Sequence, residues 1–264
     1  MIEVHNFSYG VLTPLLAYGI SFLGSFLGLR CATRAQAHQG AARVRWLLLA
    51  GVAIGTAGIW VMHFVAMLGF TIPGEQLHYN VPLTIASMVI AVVVVSAGLL
   101  IAGMGTGLRP LVTGGLVIGV GVAAMHYLGM AAMVDHVQIR YNIPLVAASV
   151  AIACVAGTAA LAAALRLQGL LVTFGAALVM GVAVSAMHYT GIAAFNVCGV
   201  TRTPGSIITA PLSGASPTAF LLPLILGISI LAFILAAIIA LAPTSEEIRE
   251  DNALMGQIAG NFPR

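Results

Sequence analysis

The chain has 264 residues, of which 61% are hydrophobic and only 6% are charged, and its formal net charge is +3. Soluble domains carry roughly a quarter of charged residues, so this composition excludes a soluble globular protein and indicates an integral membrane protein. The ten basic residues are all arginines and no aromatic side chains alternate with them, so we expect no nucleic-acid partner.

Seven apolar segments are free of charge over a length that crosses a bilayer, which takes about 20 residues. In chain order they lie near residues 11–29, 46–70, 81–103, 111–134, 143–165, 171–195 and 217–241. We therefore predict an all-α membrane protein with seven transmembrane helices, in which residues 1–243 form a single membrane domain. Residues 244–264 begin with a Thr-Ser-Glu-Glu capping-box pattern and predict a short amphipathic cytoplasmic tail.

The arginines set the orientation, because short cytoplasmic loops collect positive charge. With the N-terminus outside, only Arg140 and Arg202 fall on the outer side, and the other arginines fall on the inner side. The sequence therefore predicts an N-out, C-in topology in the lipid bilayer.

A two-helix unit recurs along the chain. The pattern Tyr-Asn-x-Pro-Leu begins at residues 79 and 141, at the start of the third and fifth segments, and a degenerate first copy begins near Tyr9. We predict three parallel two-helix repeats related by an axis along the membrane normal, followed by a peripheral seventh helix. Asn80 and Asn142 are expected to cap their helices, and Tyr79 and Tyr141 are expected to lie at the membrane interface.

Each repeat also carries a histidine inside its second apolar segment, where an ionisable side chain is costly and marks a functional site. The three motifs are Met62-His63-Phe64, Met125-His126-Tyr127 and Met187-His188-Tyr189. The repeat places the three histidines at one height in the outer leaflet, where they converge if the hairpins pack around a common axis. A lone membrane histidine usually only hydrogen-bonds to another helix, and duplication would copy such a structural histidine as well.

The predicted site is a copper site with histidine and methionine ligands. Imidazole and thioether are a soft ligand set that suits copper, and no carboxylate or thiolate lies at this depth for calcium, magnesium or structural zinc. His63 with Met67, and His126 with Met130, stand at i and i+4 on one helix face and form predicted nitrogen–sulfur pairs. An open coordination position would bind a diatomic gas.

Other residues are predicted to surround these ligands. Met62, Met125 and Met187 point about 100° away from the following histidine, so we expect them to flank the site or contact a neighbouring helix. Asp135 and His136 are candidates to orient a ligand ring from the outer loop. The glycines expected to let backbones approach closely are Gly58, Gly121, Gly129 and Gly191.

The threefold Met-His-(Phe or Tyr) pattern, Gly-Ile-Trp-Val at 58–61 and the Tyr-Asn-x-Pro-Leu helix starts resemble the bacterial MHYT domain over roughly residues 8–197. The resemblance implies a sensor of the bacterial cytoplasmic membrane, proposed in the family to bind copper near the outer face and to sense oxygen, carbon monoxide or nitric oxide. By position the resemblance adds Met62, Met125 and Met187 to the metal site, and Tyr127 and Tyr189 as residues that support the ligands. Two departures are Phe64, where the family has tyrosine, and Ile192, where it has the last methionine.

Many relatives in this family continue into cyclic-dinucleotide or histidine-kinase domains, whereas this chain stops after its tail. We therefore expect a sensor without catalytic output that signals to a separate cytoplasmic protein. Two other functions stay open. One is a membrane redox protein that holds haem between two of the histidines, or a copper-dependent membrane enzyme. The more distant one is a transporter in which the histidines line a pathway.

Overall fold

The structure, a computed structural model, describes residues 7–72, 77–134, 137–166, 169–200 and 216–241. These residues form seven helices: α1 Leu12–Gln36, α2 Gly40–Met67, α3 Val81–Met104, α4 Leu108–Ala131, α5 Ile143–Arg166, α6 Leu170–Ala193 and α7 Pro217–Leu241. The first six are long and apolar enough to cross a membrane. The chain is therefore a predominantly helical membrane protein, as its composition predicts, and the count of seven spans and the orientation stay predictions.

The six long helices close a ring in chain order. Each packs against the next, and α6 packs back against α1. The histidine-bearing helices α2, α4 and α6 are the second members of the three hairpins, so they alternate around this ring with α1, α3 and α5. Helix α7 lies outside the ring, against α1 and the middle of α2. This arrangement is the one that a threefold hairpin repeat predicts.

Helix α2 departs from regular α-helical geometry just before its histidine. Ile54–Val61 form a π-helical stretch that ends next to Met62 and His63. Such wider turns, with i→i+5 hydrogen bonds, occur frequently at functional sites. Glycines let neighbouring helices approach here: a Cβ on Gly55 would lie 2.8 Å from the Cα of Val92. Helix α2 is consequently the most buried of the six spans.

Two short antiparallel sheets join the loops at the end of the helices nearest the histidines, a feature that the hydrophobic pattern does not predict. Their strands are β1 His78–Tyr79, β2 Met133–Val134, β3 Val137–Tyr141 and β4 Phe195–Val200. Tyr79 pairs with Met133, and Tyr141 pairs with Phe195, at the equivalent position one repeat later. Each sheet therefore ties the start of one hairpin to the end of that same hairpin.

The asparagines cap α3 and α5, as predicted. The Asn80 side-chain carbonyl accepts a hydrogen bond from the Leu83 N–H at 3.1 Å, and Asn142 accepts one from the Leu145 N–H at 3.4 Å. These bonds satisfy N–H groups that have no partner within the first turn of a helix. The repeated sequence pattern therefore fixes where both helices begin.

At the opposite end, each hairpin turn contains a glycine with positive φ: 56° for Gly40, 92° for Gly107 and 96° for Gly169. Residues with a Cβ rarely adopt this conformation, so the turns depend on glycine. Side chains near the first turn also bind carbonyls close to the ends of three other helices. They are Arg34 to Ile239 at 2.6 Å, Gln36 to Ala164 at 2.9 Å, and Arg43 to Gly103. The first turn thus attaches α7, α5 and α3 to the first hairpin.

Candidate metal centre

Three histidines meet on the axis of the helix ring, one each from α2, α4 and α6. Each stands four or five residues before the end of its helix, so the three rings share one height. His63 Nδ1 lies 3.0 Å from His188 Nδ1 and 3.1 Å from His126 Nδ1. The ring centroids are 4.9, 4.9 and 5.1 Å apart, and the ring planes are nearly perpendicular to one another. The structure therefore brings together the three residues that the motif predicts.

The three rings are removed from water. Each histidine is 1% exposed, and among the described residues their Nε2 atoms have no hydrogen-bond partner. A neutral imidazole has one N–H and one lone pair, so three Nδ1 atoms that face one another cannot fully satisfy the three rings. A buried polar group without a partner costs about 1–3 kcal/mol. Such a cluster calls for an explanation, and a bound ion is one that accounts for all three rings together.

The donor set fits a small metal ion. Each of the three histidines offers one ligand nitrogen, these three atoms lie within 4.8 Å of one another, and no other described His, Cys, Asp or Glu joins this group. The Nδ1 separations are close to those of nitrogen ligands that each lie about 2 Å from one ion. Three imidazole nitrogens without a carboxylate or thiolate form a donor set that suits a soft or borderline metal ion.

A small cavity of about 10 Å³ lies against the triad, and its lining residues occupy the same three positions in each motif. It is lined by Ile59, Met62, His63, Val122, Met125, His126, Val184, Met187 and His188. A space of this size is near the smallest that holds one water molecule. The site can therefore hold one small species beside the rings.

Of the methionines predicted for the metal site, those that directly precede the histidines line this cavity. Met62, Met125 and Met187 line it together with the histidines, whereas Met67 and Met130 are buried but do not line it. Side chains on a helix lean toward its N-terminus. A cavity on the N-terminal side of the triad is consequently lined by residues that precede each histidine, and the i+4 residues lie beyond it.

Glycines provide the surface on which two of the rings rest. A Cβ on Gly129 would lie 2.6 Å from His63 Nε2, and a Cβ on Gly191 would clash with the His126 ring. Both glycines stand three residues after a histidine, and Ala66 occupies that position after His63. We predicted that these glycines admit another backbone, but what they admit is the imidazole of the preceding motif.

The residue after each histidine packs its ring edge-on against that histidine. The centroid distances are 4.7 Å for Phe64, 4.9 Å for Tyr127 and 5.0 Å for Tyr189. The Tyr127 hydroxyl lies 2.7 Å from Ser149 Oγ, so this tyrosine binds α5 and not the cavity. Both tyrosines are thus placed to hold the histidine rings in position.

The first repeat compensates for the hydroxyl that Phe64 lacks. The Trp60 indole N–H, one helical turn earlier, donates a hydrogen bond of 2.9 Å to Ser87 Oγ. Ser87 in α3 and Ser149 in α5 occupy equivalent positions of consecutive repeats. Neither serine is among the predicted site residues, although their identical spacing from the Tyr-Asn pattern signals the relationship.

An aromatic layer covers the triad on the side of the two sheets. Phe70, Phe195, Tyr141 and Tyr127 form a chain with centroid distances of 5.7, 6.0 and 5.8 Å. Tyr79 is 1% exposed and therefore packs inside the protein, and burial raises the pKa of its phenol. Its place at the membrane interface stays a prediction. The predicted orienting residues Asp135 and His136, and the tail after Pro243, lie outside the described residues.

Comparison with known families identifies the repeat. Residues 57–115 and 119–177 match two copies of the MHYT repeat, which is described as a bacterial signalling protein N-terminal repeat. This chain belongs to the MHYT family. The two matched copies begin just before His63 and His126, whereas His188 lies beyond them, in the motif that has Ile192 in place of methionine.

Several curated proteins are similar to this MHYT chain. MucR of Pseudomonas aeruginosa, a bifunctional diguanylate cyclase/cyclic di-GMP phosphodiesterase, is 39% identical over 71% of this chain and 28% of its own length. NbdA of the same species, a cyclic di-GMP phosphodiesterase, is 35% identical over 76% of this chain and 26% of its own. The signalling protein YkoW of Bacillus subtilis is 29% identical over 78% and 26%. The chain spans about a quarter of the length of these relatives. No solved structure matches it.

Proposed function

We propose that this MHYT protein is a membrane sensor that binds one copper ion through His63, His126 and His188, and that it detects a diatomic gas or a redox state there. The observation that supports the proposal is the convergence of three buried imidazoles, with the Nδ1 atom of His63 3.0 Å and 3.1 Å from those of His188 and His126. No described hydroxyl, carboxylate or water-exposed group competes for these nitrogens. When bound, copper would supply a coordination position for oxygen, carbon monoxide or nitric oxide.

The surroundings favour copper over harder ions. Imidazole nitrogen and thioether sulfur are the donors that select copper, and Met62, Met125 and Met187 line the cavity next to the rings. A site without negative ligands suits a monovalent ion in a low-dielectric interior, where uncompensated charge is costly. Tyr127 and Tyr189 hold the histidine rings in position, because each packs edge-on against the histidine that precedes it.

The three alternatives have less support. A porphyrin between two histidines would need the rings to separate widely, whereas the Nδ1 atoms lie about 3 Å apart beside a cavity of about 10 Å³. A transporter needs a polar path, but the residues below the triad are aliphatic, among them Ile59, Val122 and Val184. A copper-dependent enzyme would use the same centre, and no described feature favours it over a sensor.

The signal is proposed to reach a cytoplasmic signalling protein or domain, with cyclic di-GMP turnover as the output that the names of MucR and NbdA suggest. Helix α7 packs against α1 and the π-helical stretch that precedes His63, and Arg34 binds the Ile239 carbonyl near the end of α7. A movement of the His63 ring can therefore be transmitted through packed side chains to α7.

The test is the metal content of the full chain, purified after expression with ample copper. One copper per chain is expected, together with its loss from a variant with His63→Ala, His126→Ala and His188→Ala. The matched control is His38→Ala, because His38 binds the Arg34 carbonyl far from the triad. Metal-free protein, or protein that carries only zinc or haem, would refute the copper assignment.

A further inference from the structure

A second and much larger cavity lies between the histidine centre and the hairpin turns. Its volume is about 510 Å³, and its walls come mostly from α5 and α6. Small side chains such as Ala153, Gly157, Ala160, Ala176 and Ala183 leave this space open. The walls are almost wholly apolar, so water gains few hydrogen bonds by entering.

The large cavity reaches the chamber beside the triad. Ile59, Val122, Val184 and Met187 line both spaces. Three of these side chains stand one helical turn before a histidine and Met187 directly precedes His188, and among the described residues these four form the wall that the two spaces share. A molecule in the large cavity is therefore one side-chain movement away from the rings.

The other side of the large cavity faces lipid. Val172 and Val179 line it and are 47% and 68% exposed on α6. Helices α5 and α6 also pack less closely on each other than α3 and α4 do. The aromatic layer of Phe70, Phe195 and Tyr141 covers the triad from the opposite direction. The described residues therefore leave the rings an apolar approach from within the membrane.

We propose that this cavity binds nonpolar diatomic gas and passes it from the lipid between α5 and α6 to the histidine centre. Apolar gases concentrate in hydrocarbon, and dry apolar cavities of about 150 Å³ already take up xenon or benzene. The narrow chamber at the far end accepts only a species about the size of water, which excludes lipid chains and larger solutes from the rings. The role as a passage rests on the proposed sensor function, whereas gas binding in the cavity does not.

Xenon is the probe, because it is apolar, of similar size to a diatomic gas, and visible by anomalous scattering and by ¹²⁹Xe NMR. The full chain in lipid nanodiscs or in crystals is exposed to xenon with and without copper. The blocking variants are Ala160→Leu on α5 and Ala183→Leu on α6, two substitutions so that one misfolded variant does not end the test. The matched control is Ala151→Leu, on the exposed face of α5 outside the cavity.

The expected result is saturable xenon binding between α5 and α6 in the unmodified chain and in Ala151→Leu, with at least a tenfold weaker signal in both blocking variants. Absence of xenon from the unmodified chain, equal binding in the blocking variants, or a lipid chain that fills the cavity would each overturn the inference. Copper content is measured in every sample. Xenon binding by protein that was supplied with copper but carries none would refute the copper centre alone, and copper without xenon would refute the gas cavity alone.

Discussion

Substitution Gly129→Ala tests whether the position of one histidine ring controls metal binding. The new Cβ would lie 2.6 Å from His63 Nε2, 3.1 Å from His63 Cδ2 and 3.4 Å from Phe64 Cζ. An ordinary contact is at least 3.4 Å, so the His63 ring must move by about 0.8 Å. Ligand geometry in functional sites is held to about 0.5 Å, and loss of a group that orients a ligand lowers metal affinity roughly 10–100-fold.

The fold should survive this change. Alanine in place of glycine stabilises a helix by about 1 kcal/mol, and crowding by one methyl group costs about 1–3 kcal/mol. The assay is competition for copper against a chromophoric chelator, together with thermal unfolding. The control is Gly19→Ala in α1, whose Cβ would meet nothing within 4 Å. Unchanged copper affinity in a folded Gly129→Ala protein would refute the idea that ring placement on this glycine governs the site.

Three further predictions address the surroundings of the site. Met125→Leu should weaken copper binding several-fold in chelator competition, because this side chain lines the cavity. Met130→Leu should leave copper binding unchanged. If Met130→Leu weakened binding and Met125→Leu did not, the i+4 methionines would be the ligands. Ser149→Ala removes the partner of the Tyr127 hydroxyl and should lower the free energy of unfolding by about 1 kcal/mol. In a double-mutant cycle, adding Tyr127→Phe to Ser149→Ala should lower the free energy of unfolding little further. Asn80→Ala removes the cap of α3 and should lower the free energy of unfolding by about 1 kcal/mol, measured by thermal unfolding in detergent; no change would mean that the cap is not needed once α3 is packed.

The hydrophobic pattern predicts the helices because each bilayer span must satisfy its backbone hydrogen bonds within itself. The six described spans lie where their apolar segments do, although α1 continues to Gln36 and α2 begins at Gly40, since flanking arginines and small residues are compatible with helix outside the hydrocarbon region. The asparagine caps follow from local sequence in the same way. The two small sheets do not, because they join strands about 50 residues apart in the chain.

The sequence by itself determined that three histidines share one depth, because equal repeats place equivalent residues at equal heights. Only the tertiary structure decided that His63, His126 and His188 turn their Nδ1 atoms toward one another, since this depends on how the hairpins rotate about their own axes. It also decided which methionines line the cavity. Helical periodicity gives the angle between Met125 and Met130, but it does not show on which side of the rings the space remains. That side is fixed by packing between helices, as is the apolar cavity between α5 and α6.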